Sequence, residues 1–355
     1  MRTPSLWSLA VVLCALASFG CGLALARGYI ALPANIPGIS RIFASTDREE
    51  TQSLPSDLRL VNSLRVFAVG DMMFGRGVAL RMASGTNPFQ NFDKLQKEAF
   101  PATDYIVGNL EGPITNATRC QVKPYSFRFA TSVAPLLYEH GFRAVNVANN
   151  HSYDCYERGL IDTRFWLSEA GVEVFGGGAQ LNDSMRETFV RDMYIGWVGI
   201  DETIAPVPLK KFSETIARVA SSSDVTIIQI HWGNEYQFEP TKTQQDLGHA
   251  LVDSGATVVI GHHPHVVEPV EIYHNRAIFY SLGNFIFDQI GVDENRGIAV
   301  GMEIFPQTIT YTLVPFDIDW SVPTPVTTQN ERLHRCEVYL ARVPVKSGCS
   351  FTLPR

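Results

Sequence analysis

From Arg65 onward the chain repeats one pattern. A short apolar, β-branched-rich run ends abruptly in polar residues, and a stretch with apolar residues at helical spacing follows. The first runs are Arg65 to Val69 before Gly70-Asp71, Tyr105 to Val107 before Gly108-Asn109-Leu110-Glu111, and Ala144 to Ala148 before Asn149-Asn150-His151. Three more are Val225 to Ile230 before His231-Trp232-Gly233, Thr257 to Ile260 before Gly261-His262-His263-Pro264-His265, and Ala277 to Tyr280 before Ser281-Leu282-Gly283-Asn284. Ser132 to His140, Glu157 to Ala170, Leu209 to Ala220 and Thr241 to Asp253 read as helices, with Gly141, Gly171 and Gly255 where helices should stop. The alternation predicts an α/β class. Ligands in such folds bind outside the carboxyl ends of the strands, so one pocket is expected to collect the polar residues of all six runs.

Beyond Arg296 the pattern changes. Ile298 to Phe305 and Ile309 to Pro315 are strand-like with no helix between them, which predicts antiparallel strands completing or covering a sheet. Pro323 to Gln329 is rich in Thr and Pro and reads as extended. No internal repeat is visible. The expected division is a membrane segment over 1–26, a linker over 27–64, the main domain over 65–322 and a C-terminal extension over 323–355. The linker is inferred from Pro33, Pro37 and Pro55 among polar positions without a sustained period.

Leu6 to Ala26 is apolar, uncharged and preceded by Arg2, approaching the roughly 20 residues of a membrane span. It predicts export. Ala24-Leu25-Ala26 has the form of a signal-peptidase site, so cleavage before Arg27 would secrete the domain. The length favours an anchor, because a signal-peptide apolar region is only about 7 to 15 residues. The expected location is thus the cell membrane, single-pass, with the domain outside the cytoplasm. Ser18-Phe19-Gly20-Cys21 is a poor lipoprotein box, lacking an aliphatic residue three before the cysteine. Cys120, Cys155, Cys336 and Cys349 lie outside this segment. An oxidising compartment permits two disulfides among them in three pairings, of which Cys120 with Cys155 and Cys336 with Cys349 is favoured over the others and over free thiols.

The 355 residues are 45% hydrophobic and 18% charged, an ordinary globular composition that excludes disorder. A formal net charge of -7 argues against nucleic acid, which calls for a basic stripe. An acidic polymer would also be repelled, unless local Arg and Lys or a bound cation reverses the sign.

Among candidates for chemistry, His263 and His265 at i and i+2 leave a strand together, with Pro264 stiffening the turn, and imidazole is a common metal ligand. Asp71 follows a strand directly, although a strand-end Asp also caps helices. Asn109 and Glu111 pair a neutral with an anionic oxygen, Asn150-His151 an amide with an imidazole, and His231 and Glu235 flank Gly233. His262 points oppositely and is expected behind the ligands. Trp232 and Tyr236 suit packing better than chemistry. Arg128 offers a planar fork to a carboxylate or phosphate, or a surface ion pair. Each residue alone admits a turn or cap role. Their arrival at six strand ends makes metal binding the economical account, with Asp71, Asn109, Glu111, Asn150, His231, His263 and His265 as ligands and His151 or Glu235 moving protons.

Taken in order, Gly70-Asp71, Asn109-Leu110-Glu111, Ala148-Asn149-Asn150-His151, His231-Trp232-Gly233-x-Glu235-Tyr236, Gly261-His262-His263-Pro264-His265 and Tyr280-Ser281-Leu282-Gly283-Asn284-Phe285 resemble the motif set of the CapA poly-γ-glutamate capsule-synthesis family. The resemblance spans roughly Arg65 to Asp288. It implies a metallophosphatase-like β-sandwich flanked by helices and preceded by a membrane helix, as in calcineurin-like metallophosphoesterases, which hold two metals. Asp71 matches their first metal-binding Asp, Asn150 and His151 their Asn-His pair, and His231, His263 and His265 their later histidines. Met73 stands where they usually have a ligand His, and Asn109 where they have the metal-bridging Asp, with Glu111 a candidate to compensate. These departures count against a second metal and against phosphoesterase activity. Asp154-Cys155 replaces the more familiar Asp-Gly.

The expected function is therefore a metal-dependent hydrolase or transferase acting outside the membrane on an anionic capsule or wall polymer. It would carry one or two divalent ions, with Mn, Zn and Fe all suitable, and Arg128 and Asn284 would contact substrate. Membrane-bound capsule synthesis proteins are the expected partners, and no nucleic acid. The alternatives are a non-catalytic polymer-binding or export scaffold, favoured by Met73 and Asn109, and a plain metallophosphoesterase.

Overall fold

In this computed structural model residues 63–177 and 184–355 are described. The expected membrane segment and nearly all of the linker lie outside them. No helix among the described residues is long and apolar enough to cross a membrane.

In chain order the first half carries β1 (Leu64–Met72), α1 (Arg76–Ala83), α2 (Phe92–Ala99), β2 (Tyr105–Leu110), α3 (Val133–Glu139), β3 (Phe142–Asn146), α4 (Tyr156–Ala170), β4 (Glu173–Phe175), β5 (Met185–Val190) and β6 (Met193–Asp201). There follow α5 (Leu209–Ser222), β7 (Val225–His231), α6 (Lys242–Asp253), β8 (Val258–His262), β9 (Val270–Tyr273), β10 (Arg276–Phe279) and β11 (Asn284–Ile286). The chain ends with β12 (Arg296–Ile304), β13 (Thr308–Asp319), β14 (Val322–Pro325), α7 (Gln329–Tyr339) and β15 (Ser350–Pro354).

Two sheets result. One has the order β14-β13-β12-β1-β2-β3-β4, with β11 added along β1 and β15 along β13; the other runs β5-β6-β7-β8-β10-β9. The strands β1 to β4 pair in parallel, as do β6, β7, β8 and β10, whereas β12 and β13 are antiparallel as expected. Period-two alternation assigns the faces. Leu64, Val66 and Ala68 of β1 share one core with Ile227 of β7 and Ile260 of β8, so the sheets face each other. Phe67 and Val69 turn the other way into a second core with Leu95, Leu137 and Leu160 from α2, α3 and α4. Ile228 and Ile230 likewise meet Ile216 and Leu251 from α5 and α6. The architecture is a β-sandwich with helices on both outer faces.

Local signals account for several boundaries. Thr241 and Gln244 form a reciprocal capping box at the start of α6, each side chain accepting from the other's backbone N–H at 3.2 and 2.8 Å. Gly171 closes α4 with φ +83, a left-handed conformation in which glycine meets no Cβ penalty. Strands β5 and β6 escape the sequence pattern: β5 lies at an edge of its sheet, and Arg186, Glu187 and Thr188 interrupt its apolar positions.

Residues 323–355, set apart on sequence as an extension, are built into the sandwich. Most of β14 and all of β15 pair with β13, and Phe351 and Leu340 enter the inter-sheet core. Disulfides join Cys120 to Cys155 and Cys336 to Cys349, the favoured pairing. The second ties α7 to the start of β15 across a separation of 13 residues. Closing a loop of that size restricts the unfolded chain, so Cys336→Ser with Cys349→Ser should lower unfolding stability by about 3 kcal/mol. Denaturant melts of the variant and the wild type, both without reductant, measure the difference.

Candidate metal centre

The carboxyl ends of β1, β2, β7 and β8 converge, and the backbone is shaped for the approach. A Cβ on Gly70 would lie 2.0 Å from the Gly283 carbonyl oxygen, so glycine lets β1 pass β11 and present Asp71. His263 and His265 both take left-handed backbone, φ +98 and +60, conformations that non-glycine residues adopt mainly where surrounding contacts impose them. One such contact is the His263 N–H donating to Asp71 Oδ2 at 3.1 Å. The loop after β7 is fastened to the same turn by the Tyr236 N–H donating to the Pro264 carbonyl at 2.8 Å.

Glu111 lies at the centre. It is fully buried, yet neither carboxylate oxygen has a hydrogen-bond partner. Oε1 is faced by Nε2 of His151 at 3.8 Å, His231 at 3.9 Å and His265 at 3.8 Å. These separations are too long for hydrogen bonds. They do suit atoms sharing one divalent ion, since ligands each about 2.0–2.2 Å from a metal can lie up to about 4 Å apart. Ligand-capable atoms of Asp71, Glu111 and His231 lie within 4.8 Å of one another, as do those of Glu235, His263 and His265. The donor set of carboxylates and imidazoles therefore fits a divalent cation.

The flanking hydrogen bonds orient the rings. Asn284 donates through its amide nitrogen to Gln289 Oε1 and the Glu294 carbonyl, which leaves its oxygen to accept from His265 Nδ1 at 2.9 Å. His265 thus carries its proton on Nδ1 and offers the Nε2 lone pair toward Glu111. Asp154, buried and ion-paired with Lys123, likewise accepts from His151 Nδ1 at 2.7 Å. Phe127 stacks on the His151 ring at 4.0 Å.

Electrostatics favour the ligand forms at neutral pH, except at Glu111. Burial, reinforced by His263, holds His231 well below its usual range, and burial with His265 pushes His263 down to about 4. Burial also lowers His151, against the opposing pull of Asp154. For Asp71 burial acts upward, but the His262 contact and the charges of His262, His231 and His265 outweigh it and keep the carboxyl low. Glu111 is raised well above the carboxylate range by burial and then by Asp71, Glu235 and Asp154. A cation would relieve this repulsion.

Residues 65–289 match the family of the bacterial capsule synthesis protein PGA_cap. The chain belongs to that family. The PGA biosynthesis protein CapA of Bacillus subtilis is 30% identical over 280 residues, covering 73% of this chain and 72% of that one. The capsule biosynthesis protein CapA of Bacillus anthracis is 28% identical over 314 residues, covering 81% and 75%. Among solved structures, a novel phosphatase from Mycoplasma pneumoniae aligns over 74% of this chain and 90% of its own, at 15% identity and a TM-score of 0.46.

In this PGA_cap member Asp71, Glu111, His151, His231, His263, His265 and Glu235 come together as the sequence suggested. Asn150 also joins them, its Oδ1 lying 3.1 Å from His231 Nε2. Asn109 does not present an oxygen. Its Oδ1 accepts from Asn146 and Asn149 at 3.2 and 3.1 Å, which turns its amide nitrogen toward Asp71 Oδ1 at 2.8 Å. It positions Asp71. His262 stands behind the ligands as expected, Nδ1 3.1 Å from Asp71 Oδ1.

The two expected substrate contacts change roles. Arg128 is exposed and donates to the Ala117 carbonyl at 2.9 Å, away from the cavity, while Asn284 is buried behind His265. A different arginine, Arg76, lines the cavity of about 400 Å³ over the centre, together with Glu111, His151, Glu235, Tyr236 and His265. Only its place between Gly75 and Gly77, five residues after Asp71, marked it in the sequence.

Proposed function

We propose that this protein acts in the synthesis or export of a capsule polymer, on the evidence of its family a poly-γ-glutamyl chain, as a metal-dependent hydrolase or transferase outside the cytoplasmic membrane. The observation that carries the reading is the buried Glu111 carboxylate with no hydrogen-bond partner, ringed by three imidazole nitrogens. Asp71, Glu111, Asn150, His231, His263 and His265 would hold the ion, for which Mn, Zn and Fe are all suited. When bound, a divalent ion supplies a lowered pKa for water and polarises a carbonyl or phosphoryl oxygen.

The chain's own residues do the rest. Glu235 is exposed at the cavity and able to carry a proton between substrate and solvent. Asp154 fixes the proton of His151 on Nδ1 and keeps Nε2 aimed at the centre. Asn109 and His262 hold the Asp71 carboxylate in place. Membrane attachment and export rest on the apolar stretch Leu6 to Ala26, and the anionic polymer and membrane-bound synthesis proteins are the partners this reading implies.

A scaffold without catalysis is the second reading. It is favoured by Met73, whose side chain is buried in the outer core and accepts from the Gly75 N–H at 3.0 Å, and by the amide nitrogen that Asn109 turns to Asp71. Elemental analysis of the purified domain decides between them, with His263→Ala, His265→Ala as comparison and poly-γ-glutamate cleavage or transfer assayed in parallel. Stoichiometric metal and activity in the wild type, both lost in the variant, are expected. Folded wild type that takes up no divalent metal and leaves the polymer intact would move the assignment to the scaffold.

A further inference from the structure

The cavity over the metal centre is strongly acidic. Glu111, Glu235, Asp288 and Glu294 line it, and Arg76 is the one Lys or Arg among the described residues that line it. An anionic substrate needs a specific positive contact in such surroundings.

Arg76 is held as if for that purpose. Its guanidinium lies over the rings of Phe127, Tyr125 and Phe287, with centroid distances of 5.1, 5.6 and 5.8 Å. Its Nε and Nη2 donate to the two oxygens of Asp288, Nε at 3.2 Å. Asp288 is fixed in turn by the Gly77 N–H at 2.8 Å, and a Cβ on Gly77 would sit 2.9 Å from its Oδ2. A guanidinium has five N–H donors in a rigid fork. The Asp288 contact uses its Nε side, and Nη1 has no hydrogen bond among the described residues. The remaining edge matches the two oxygens of a carboxylate.

We propose that Arg76, braced by Asp288 and the three aromatic rings, recognises a free carboxylate of the substrate beside the metal centre. The assignment rests on the polymer-directed function above and narrows its substrate class. A γ-linked glutamyl chain keeps one free carboxylate per residue, so Arg76 would hold that group while the adjoining amide lies toward Glu111 and His151. Lysine would supply the charge without the fork. An inorganic or ester phosphate offers similar oxygens, and the test separates the two sources.

The full chain is titrated with a γ-glutamyl trimer, with the same trimer carrying amidated α-carboxyls, and with inorganic phosphate, while metal content and melting temperature are recorded. Wild type should bind the free-acid trimer at least about tenfold more tightly than the amidated one, the difference expected for losing one charge-assisted contact. Arg76→Gln should bind the two trimers alike, and Arg76→Lys should keep part of the preference. Asp288→Asn removes the ion pair but keeps an acceptor oxygen for the Arg76 fork, and should weaken the preference less than Arg76→Gln does. If Asp288→Asn and Arg76→Gln lose it equally, the pair is merely structural and the proposal is overturned. It is overturned as well if Arg76→Gln still discriminates, if wild type does not discriminate, or if only phosphate binding depends on Arg76. Should Arg76→Gln fail to fold, Arg76→Lys against Asp288→Asn decides by the same criterion. Metal-free wild type that still discriminates through Arg76 would sink the hydrolase reading and leave this assignment standing.

Discussion

Glu111→Gln is expected to abolish stoichiometric metal binding and, in the same protein, to raise the melting temperature of the metal-free form. The opposing effects follow from one fact. Both oxygens of this fully buried carboxylate lack a hydrogen-bond partner, so without a cation the protein carries the cost of an uncompensated polar group. An amide of the same shape cannot ionise, so it removes the cost of burying the charge and its repulsion by Asp71, Glu235 and Asp154, and the gain grows as pH rises above the ordinary carboxylate range. It also removes the anionic oxygen toward which His151, His231 and His265 point. Elemental analysis and calorimetry after chelation read the two effects separately. A variant that keeps its metal would remove Glu111 from the ligand set. An unstabilised metal-free variant would mean that the oxygens are satisfied by something other than an ion.

The second large effect lies away from the centre. Glu268 is buried, accepts from Gln244 Nε2 at 2.8 Å through Oε2, and leaves Oε1 without a partner. Burial first, and then the charge of Glu239, push its carboxyl from 4.5 up to about 8, against the opposing Gln244 bond. The folded protein therefore binds a proton here that the unfolded chain releases. Its contribution to stability is fully present below about 4.5 and is lost as pH rises through about 8. At about 1.4 kcal/mol per pH unit, the loss amounts to several kcal/mol. Glu268→Gln mimics the protonated acid without titrating. Urea melts should find it level with wild type near pH 4 and clearly more stable at pH 8.5 and above. A difference that stays flat with pH would show that Glu268 does not titrate in this window.

Much of this was legible in the residues. The six strands ending in polar motifs, the four helices between them and the antiparallel pair after Arg296 each have a local cause: hydrophobic period, glycine stops, or a capping Thr such as Thr241. The residue types gathered at the candidate centre were legible for the same reason, because a strand delivers whatever follows it to the sheet edge. Strand β5, with its exposed Arg186 and Glu187, carries little such signal, and the two-residue turn Arg191-Asp192 that joins it to β6 takes left-handed backbone without the glycine that would mark a hairpin.

The family, the strand-and-helix alternation and the residue types gathered at the candidate centre could be read from residue type and near-neighbour spacing. Side-chain direction came from the folded contacts. The hydrogen bonds of Asn146 and Asn149 turn Asn109 nitrogen-first to Asp71, and Asn284 sits behind His265 because Gln289 and Glu294 occupy its donors. Arg128 spends its guanidinium on Ala117, while Arg76 reaches the cavity because Asp288, 212 residues away, holds it there. Which way a side chain points is set by individual hydrogen bonds, some within one loop and some between segments far apart in the chain, and such contacts leave no periodic trace in the sequence.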